Sequence, residues 1–114
     1  MRRARGIREI SVEKGSRNVY ADLGYADAEA MLVKAQLVTK IAEIIRQRGL
    51  TQVSAARLLG LTQPKISRLL KGEFRGISEQ RLLDCLTRLG RDVEIVVRPA
   101  SRYRSSGRLT VRVA

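Results

Sequence analysis

The sequence predicts a mainly helical domain organised on a helix-turn-helix, with a small β element near its C-terminal end. Three observations carry that prediction. Between Thr51 and Gly72, two short helical patterns are separated by a single glycine. Upstream, a broad apolar stripe at helical spacing runs from Ala28 to about Arg48. After Gly90 the period changes, and Val93, Ile95 and Val97 alternate with Glu94 and Arg98.

Taken in order, the chain divides into residues 1–17, 18–90 and 91–114. Residues 1–17 are basic, punctuated by glycine and without a sustained apolar period, which predicts a disordered or weakly extended arm. Such an arm is either a tail without consequence or a contact for phosphates. Asn18 to Tyr25 carries Val19, Tyr20 and Leu23 ahead of Gly24, the spacing of a short turn packed onto the domain.

Asp27 is placed to cap the long helix, with Glu29 in the first turn where the helix dipole favours an anion. Met31, Ala35, Val38, Ala42 and Ile45 form one stripe, which Leu37, Ile41 and Ile44 widen, so this helix is expected to be buried on more than one side. Arg46, Arg48 and Gly49 close it, with cations in the last turn and glycine after.

Thr51 caps the next helix, whose apolar residues are Ala55, Ala56 and Leu59; Ala56 is small enough to admit a close helix crossing. Gly60 falls where that helix must stop in a left-handed conformation. Leu61 plugs the corner, Thr62 caps the following helix, and Pro64 sits in its first turn, where a missing N–H costs nothing. Ile66, Leu69 and Leu70 give that helix its apolar face. Two capped helices on a tight turn make a helix-turn-helix.

The residues off that face carry the chemistry. Residues 51–72 contain Arg57, Lys65, Arg68 and Lys71 and no acid. Thr62 and Gln63 stand at the N-terminus of the second helix, which is the end that reaches base edges in the major groove when such a helix reads DNA. Gln63, Lys65, Ser67 and Arg68 are the candidates for base contacts, each good pair contributing about 1 to 3 kcal/mol of discrimination. Gln52, Thr62, Lys71 and Arg75 are the candidates for backbone contacts, and Pro64 shares the same surface. The alternative is an ordinary helical hairpin with a solvated basic face, against which the ordered set of small residue, glycine, plug and caps argues.

The run Gln52, Ala56, Gly60, Leu61, Gln63, Ile66, Ser67, Leu69, Gly72 resembles the Cro and phage-repressor (XRE) family of helix-turn-helix proteins. VYADLGYADAEAMLVKAQL before it and ISEQRLLDCLTRLGRDVEIVVRP after it resemble the HigA-type antitoxins within that superfamily, so the likeness covers about residues 16 to 99. It implies a λ-repressor-like fold, a dimeric repressor of its own operon, and a HigB or RelE-like ribonuclease toxin as partner. It also implies that the Asn18–Tyr25 segment belongs to the toxin-binding surface and that the loop carrying Arg75 touches phosphate. The superfamily shows five helices where four are predicted here, which leaves the segment around Tyr20 as a rudimentary extra turn.

Beyond the motif, Gly72 to Ile77 is a loop with Phe74 turned into the core. Ser78 then caps a helix with Glu79 in its first turn and Leu82, Cys85, Leu86 and Leu89 on its apolar face. Gly90 ends it, and Asp92 to Arg98 is expected as a strand with Val93, Ile95 and Val97 on its buried side. An unpaired apolar edge needs a partner. Two are available: its own twofold copy, which makes Val93, Ile95 and Val97 dimerisation residues, or an intrachain hairpin with Leu109, Val111 and Val113 across the basic stretch SRYRSSGR.

Composition bounds the function. At 114 residues the chain holds one small core, and with four aromatic residues (Tyr20, Tyr25, Phe74, Tyr103) that core must be aliphatic. A net charge of +12 favours polyanions, here double-stranded operator DNA. It is spread unevenly, at +3 over residues 1–25, +1 over 26–50, +4 over 51–72, zero over 73–98 and +4 over 99–114. Cys85 is the single cysteine and histidine is absent, so neither a disulfide, a zinc site nor a histidine-activated nucleophile is expected. No enzymatic activity and no cofactor are expected. With no apolar run near the roughly 18 residues of a membrane span, and no hydrophobic region in MRRARGIREI, a reducing cytoplasm is the expected compartment, and the family resemblance implies a bacterial one. Two readings stand beside the autoregulating antitoxin: a free-standing XRE regulator without a toxin, and a toxin-masking interaction protein for which DNA binding is accessory.

Overall fold

The computed structural model describes residues 8–10 and 28–113. They form β1 (Arg8–Ile10), α1 (Ala28–Gln47), α2 (Gln52–Leu59), α3 (Gln63–Leu70), α4 (Glu79–Arg88) and β2 (Val111–Val113). The turn expected over Asn18–Tyr25 and the Asp27 cap lie outside the described residues. The chain groups into two units, Lys34–Val96 and Met1–Val33 with Val97–Ala114.

The helical unit is built on α1. Its 20 residues carry the expected wide stripe, with Leu37, Val38, Ile41, Ala42, Ile44 and Ile45 all buried. Ile41 and Ile44, and Ala42 and Ile45, lie three positions apart on adjoining rows, so apolar neighbours cover the helix over a wide arc. Buried with them are Ala55 and Leu59 of α2, Ile66 and Leu69 of α3, Leu82, Cys85 and Leu86 of α4, and Leu89 and Ile77. The core is aliphatic throughout. Each fully buried Ile or Leu in it contributes about 1.5 to 3 kcal/mol of transfer free energy.

Some placements differ from the pattern. The stripe's N-terminal members Met31 and Ala35 are half-buried, and Val33 is the buried residue there. In α2 the close-packed small residue is Ala55, fully buried, while Ala56 is half-buried. One position is about 100° around the helix, which decides which alanine faces the crossing. Phe74 is half-buried and lies under a cation, with Lys34 Nζ 5.7 Å from its ring centroid. Ile77 fills the core beside this loop instead.

The expected strand over Asp92–Arg98 does not form. Residues 91–100 adopt no regular structure, and Ile95, Val96 and Val97 stand 75%, 62% and 91% exposed. A strand is stable only with a ladder, and among the described residues none pairs with this segment. The C-terminal strand exists, but its partner is neither Asp92–Arg98 nor a hairpin neighbour. β2 pairs antiparallel with β1, Arg8 opposite Val113, Glu9 opposite Arg112 and Ile10 opposite Val111. Three residues of the basic N-terminal arm are therefore a strand.

Candidate nucleic-acid interface

Local chemistry fixes the ends of α2 and α3. Thr51 is extended (φ −74°, ψ 163°), and its hydroxyl accepts from the Ser54 backbone N–H at 3.0 Å. Gly60 is left-handed (φ 66°, ψ 33°), and the Leu61 N–H donates back to Ala56 O at 3.0 Å. This is the glycine-terminated hydrogen-bond pattern that reverses a chain within one residue. Thr62 is again extended, its hydroxyl accepting from the Lys65 N–H at 3.4 Å, and Pro64 lies in the first turn of α3. The turn and both caps are where the sequence puts them.

Ile66 and Leu69 point α3 into the core. The opposite side is consequently free: Thr62, Gln63, Pro64, Lys65, Arg68 and Lys71 are exposed, and Ser67 is half-buried at the edge of the face. Gln52, at the start of α2, is half-buried, and Arg75, on the loop after α3, is exposed. Electrostatics favour anions on this side. α1 and α4 carry Glu29 and Glu79 in their first turns, whereas α2 and α3 carry no acid there. Beyond the two threonine hydroxyl caps, the N-terminal dipole ends of the motif helices thus carry no compensating carboxylate, which leaves them open to a phosphate. Lys65, Arg68 and Arg75 also line a shallow notch between α3 and its following loop, with Glu73 as the single acid.

Three arginines tie helix ends to other helices, and two of them, Arg81 and Arg46, bind carbonyls of the motif itself. Arg81 of α4 donates through Nη2 to Leu59 O at 3.1 Å and Gly60 O at 2.6 Å, satisfying carbonyls that the end of α2 leaves without partners. Its Nη1 donates to Asp84 at 3.2 Å, and Asp84 also accepts from Arg88 Nε at 3.0 Å. Arg46 reaches Leu70 O at the end of α3, and Arg48 donates to Leu89 O at 3.3 Å after α4. The cations expected to close α1 therefore serve the C-termini of other helices. The local signal, a basic residue in a last turn, was present; the acceptor was legible only in three dimensions.

The buried Cys85 thiol is pushed above its ordinary pKa, chiefly by desolvation, with Arg81 and Arg88 opposing and Asp84 reinforcing the shift. It is a packing residue of α4. Among the described residues no group of His, Cys, Asp and Glu is placed to hold a metal ion. None of the described helices is long and apolar enough to cross a membrane.

A pair of short helices locked at a glycine turn, with the second presenting a polar, basic, acid-free face, defines a helix-turn-helix DNA-binding domain. A family model described as a helix-turn-helix domain matches residues 19–98. A solved chain assigned to the XRE family of transcriptional regulators is similar at 39% identity and a TM-score of 0.72, over 77% of this chain and 99% of that one. A comparison with curated proteins finds no match. The chain belongs to the XRE family of helix-turn-helix transcriptional regulators.

Proposed function

We propose that the chain is a sequence-specific repressor that binds its operator as a homodimer and regulates its own operon in a bacterial cytoplasm, as the antitoxin of a HigBA-like pair. The observation that carries the DNA reading is the outward face of α3, where Gln63 and Lys65 are exposed in the N-terminal half and Arg68 about one turn further on, on a helix whose other side is locked in the core. Gln63 suits adenine and the cations suit guanine, while Gln52, Thr62, Lys71 and Arg75 serve phosphates. Dimerisation is supported by the need of operator binding for two recognition helices about one turn of DNA apart, roughly 34 Å. It is supported also by the apolar side chains of Val93, Ile95 and Val97, which one copy leaves uncovered.

The antitoxin role rests on the resemblance of the flanking segments to HigA-type proteins. A free-standing regulator is the second reading, favoured by the similar solved chain, whose name is a regulator's and mentions no toxin. Gel shifts on the DNA upstream of the gene, set against scrambled duplex, test the operator claim: equal affinity for both refutes sequence specificity. Co-expression with a small basic RNase-like neighbour tests the other. Growth rescue and a co-purifying complex are expected of an antitoxin, and a neighbour without toxicity returns the protein to the regulator reading.

A further inference from the structure

Half of the positive field lies outside the helix-turn-helix unit. Counted from the sequence, Lys34–Val96 carries a net charge of +6, and the second unit, Met1–Val33 with Val97–Ala114, carries the other +6. The second half is concentrated. From residue 95 to the end of the sequence there is no acid and no lysine, and Arg98, Arg102, Arg104, Arg108 and Arg112 supply every charge. Arginine is the cation that grips phosphate with a planar fork of donors, whereas surface solubility is served equally by lysine.

Part of this segment is ordered as a turn. The Arg104 N–H donates to Ser101 O at 3.0 Å, and the Tyr103 N–H donates to Ser101 Oγ at 3.2 Å. Tyr103 stands on that turn 84% exposed, with the Arg102 guanidinium 5.4 Å from its ring centroid. A tyrosine this large is left in water only at a cost in apolar hydration; its hydroxyl accepts from Arg102 Nη2 at 3.5 Å and keeps its own proton to donate, so the two side chains present donors together. Arg98, likewise exposed, precedes the turn. The residues are joined covalently to the DNA-binding unit through Val96 and Val97, so binding of one raises the effective concentration of the other at the same duplex.

We propose that Arg98, Arg102 and Tyr103 form a second, sequence-independent contact with the phosphates of the duplex that flanks the operator half-site. The inference rests on the DNA reading above and adds a module to it. Arg and Tyr side chains are among the ordinary donors to DNA phosphates, and such contacts add affinity and salt dependence without reading bases.

The test is fluorescence anisotropy of the full chain on its own upstream duplex and on a scrambled duplex, between 50 and 200 mM salt. For Arg98→Gln/Arg102→Gln the slope of log affinity against log salt should fall by about 1.8, two contacts at about 0.9 each. The advantage of wild type over this variant should then shrink about 12-fold across that range, by the same factor on both duplexes. Tyr103→Phe, which keeps the ring and removes the hydroxyl, should weaken both duplexes about equally with the slope unchanged. Both variants alter exposed side chains, and unchanged thermal melting checks that they fold. Wild-type slope and affinity in the double variant overturn the proposal, and so does a loss confined to the operator. If wild type binds duplex but does not distinguish the operator, only the specificity reading fails. A wild type that binds no duplex at low salt removes both.

Discussion

Replacing Arg81 tests how the helix-turn-helix is held. The side chain is 34% exposed and makes three charge-assisted hydrogen bonds, two of them from Nη2 to the carbonyls of Leu59 and Gly60. A hydrogen bond to a charged group is worth about 1.5 to 3 kcal/mol when fully enclosed. One nitrogen shared between two acceptors, at one-third exposure, reduces that to about 1 to 2 kcal/mol for the pair. Arg81→Ala should therefore lower the melting temperature by roughly 4 to 16 °C, at about 4 to 8 °C per kcal/mol in a domain of this size. Arg81→Lys keeps the charge but has no fork, and should recover about half. Asp84→Ala removes two partly exposed pairings, to Arg81 and Arg88, and should cost about 1 kcal/mol or less. Melting curves by far-UV circular dichroism at fixed salt read all three. An alanine variant that melts within about 2 °C of wild type, or no lower than Asp84→Ala, refutes the brace.

Gly60→Ala should destabilise by about 1 to 2 kcal/mol from its left-handed backbone, and more than Gly49→Ala. The difference arises because a Cβ at Gly60 would lie 3.1 Å from Arg88 Nη1 and 3.2 Å from Arg81 Nη2, whereas at Gly49 it meets nothing within 4 Å; urea titrations give both values. Gln63→Ala and Arg68→Ala should relax base preference in a randomised-operator selection, while Lys71→Ala weakens all sequences about equally. For Cys85, burial raises the folded pKa, so its contribution to stability is whole below the thiol's ordinary pKa, near 8.5 in an unfolded chain, and is lost as pH rises above it. Cys85→Ala should remove that part of the alkaline decline, read as a flatter stability profile above pH 8.5. Sedimentation should show a dimer for wild type at micromolar concentration and a monomer with weakened operator binding for Ile95→Asp.

What the sequence disclosed was whatever neighbours in sequence decide. Thr51, Gly60, Thr62 and Ser78 act on backbone groups within five residues, so each cap and turn could be read from spacing alone. The exposed face of α3 followed from the same periodicity, since burying Ile66 and Leu69 dictates which side Gln63, Lys65 and Arg68 must take. Contacts between distant residues were not legible. Arg81 lies 22 residues from Leu59 and Arg46 lies 24 from Leu70, and no pattern in a single sequence names an acceptor that is a backbone carbonyl. The same limit hid the pairing of Val111–Val113 with Arg8–Ile10, at opposite ends of the chain.

Asp92–Arg98 shows where periodicity misleads. Alternation reports a side chain set that gains from burial on one face, and says nothing of what buries it. In one copy both faces are open, since Glu94, Ile95, Val96 and Val97 are all exposed. Burying Ile95, Val97 and the partly exposed Val93 gives about 1.5 to 3 kcal/mol each, hence about 9 to 18 kcal/mol for two chains as an upper bound. Association costs an estimated 4 to 15 kcal/mol before any side chain is ordered. The two ranges overlap. For the proposed dimer the net therefore runs from a deficit of about 6 to a gain of about 14 kcal/mol, and the operator, by seating both recognition helices at once, would add to it. On this argument dimerisation and operator binding reinforce each other, which makes Ile95→Asp a variant that loses affinity for DNA without touching it.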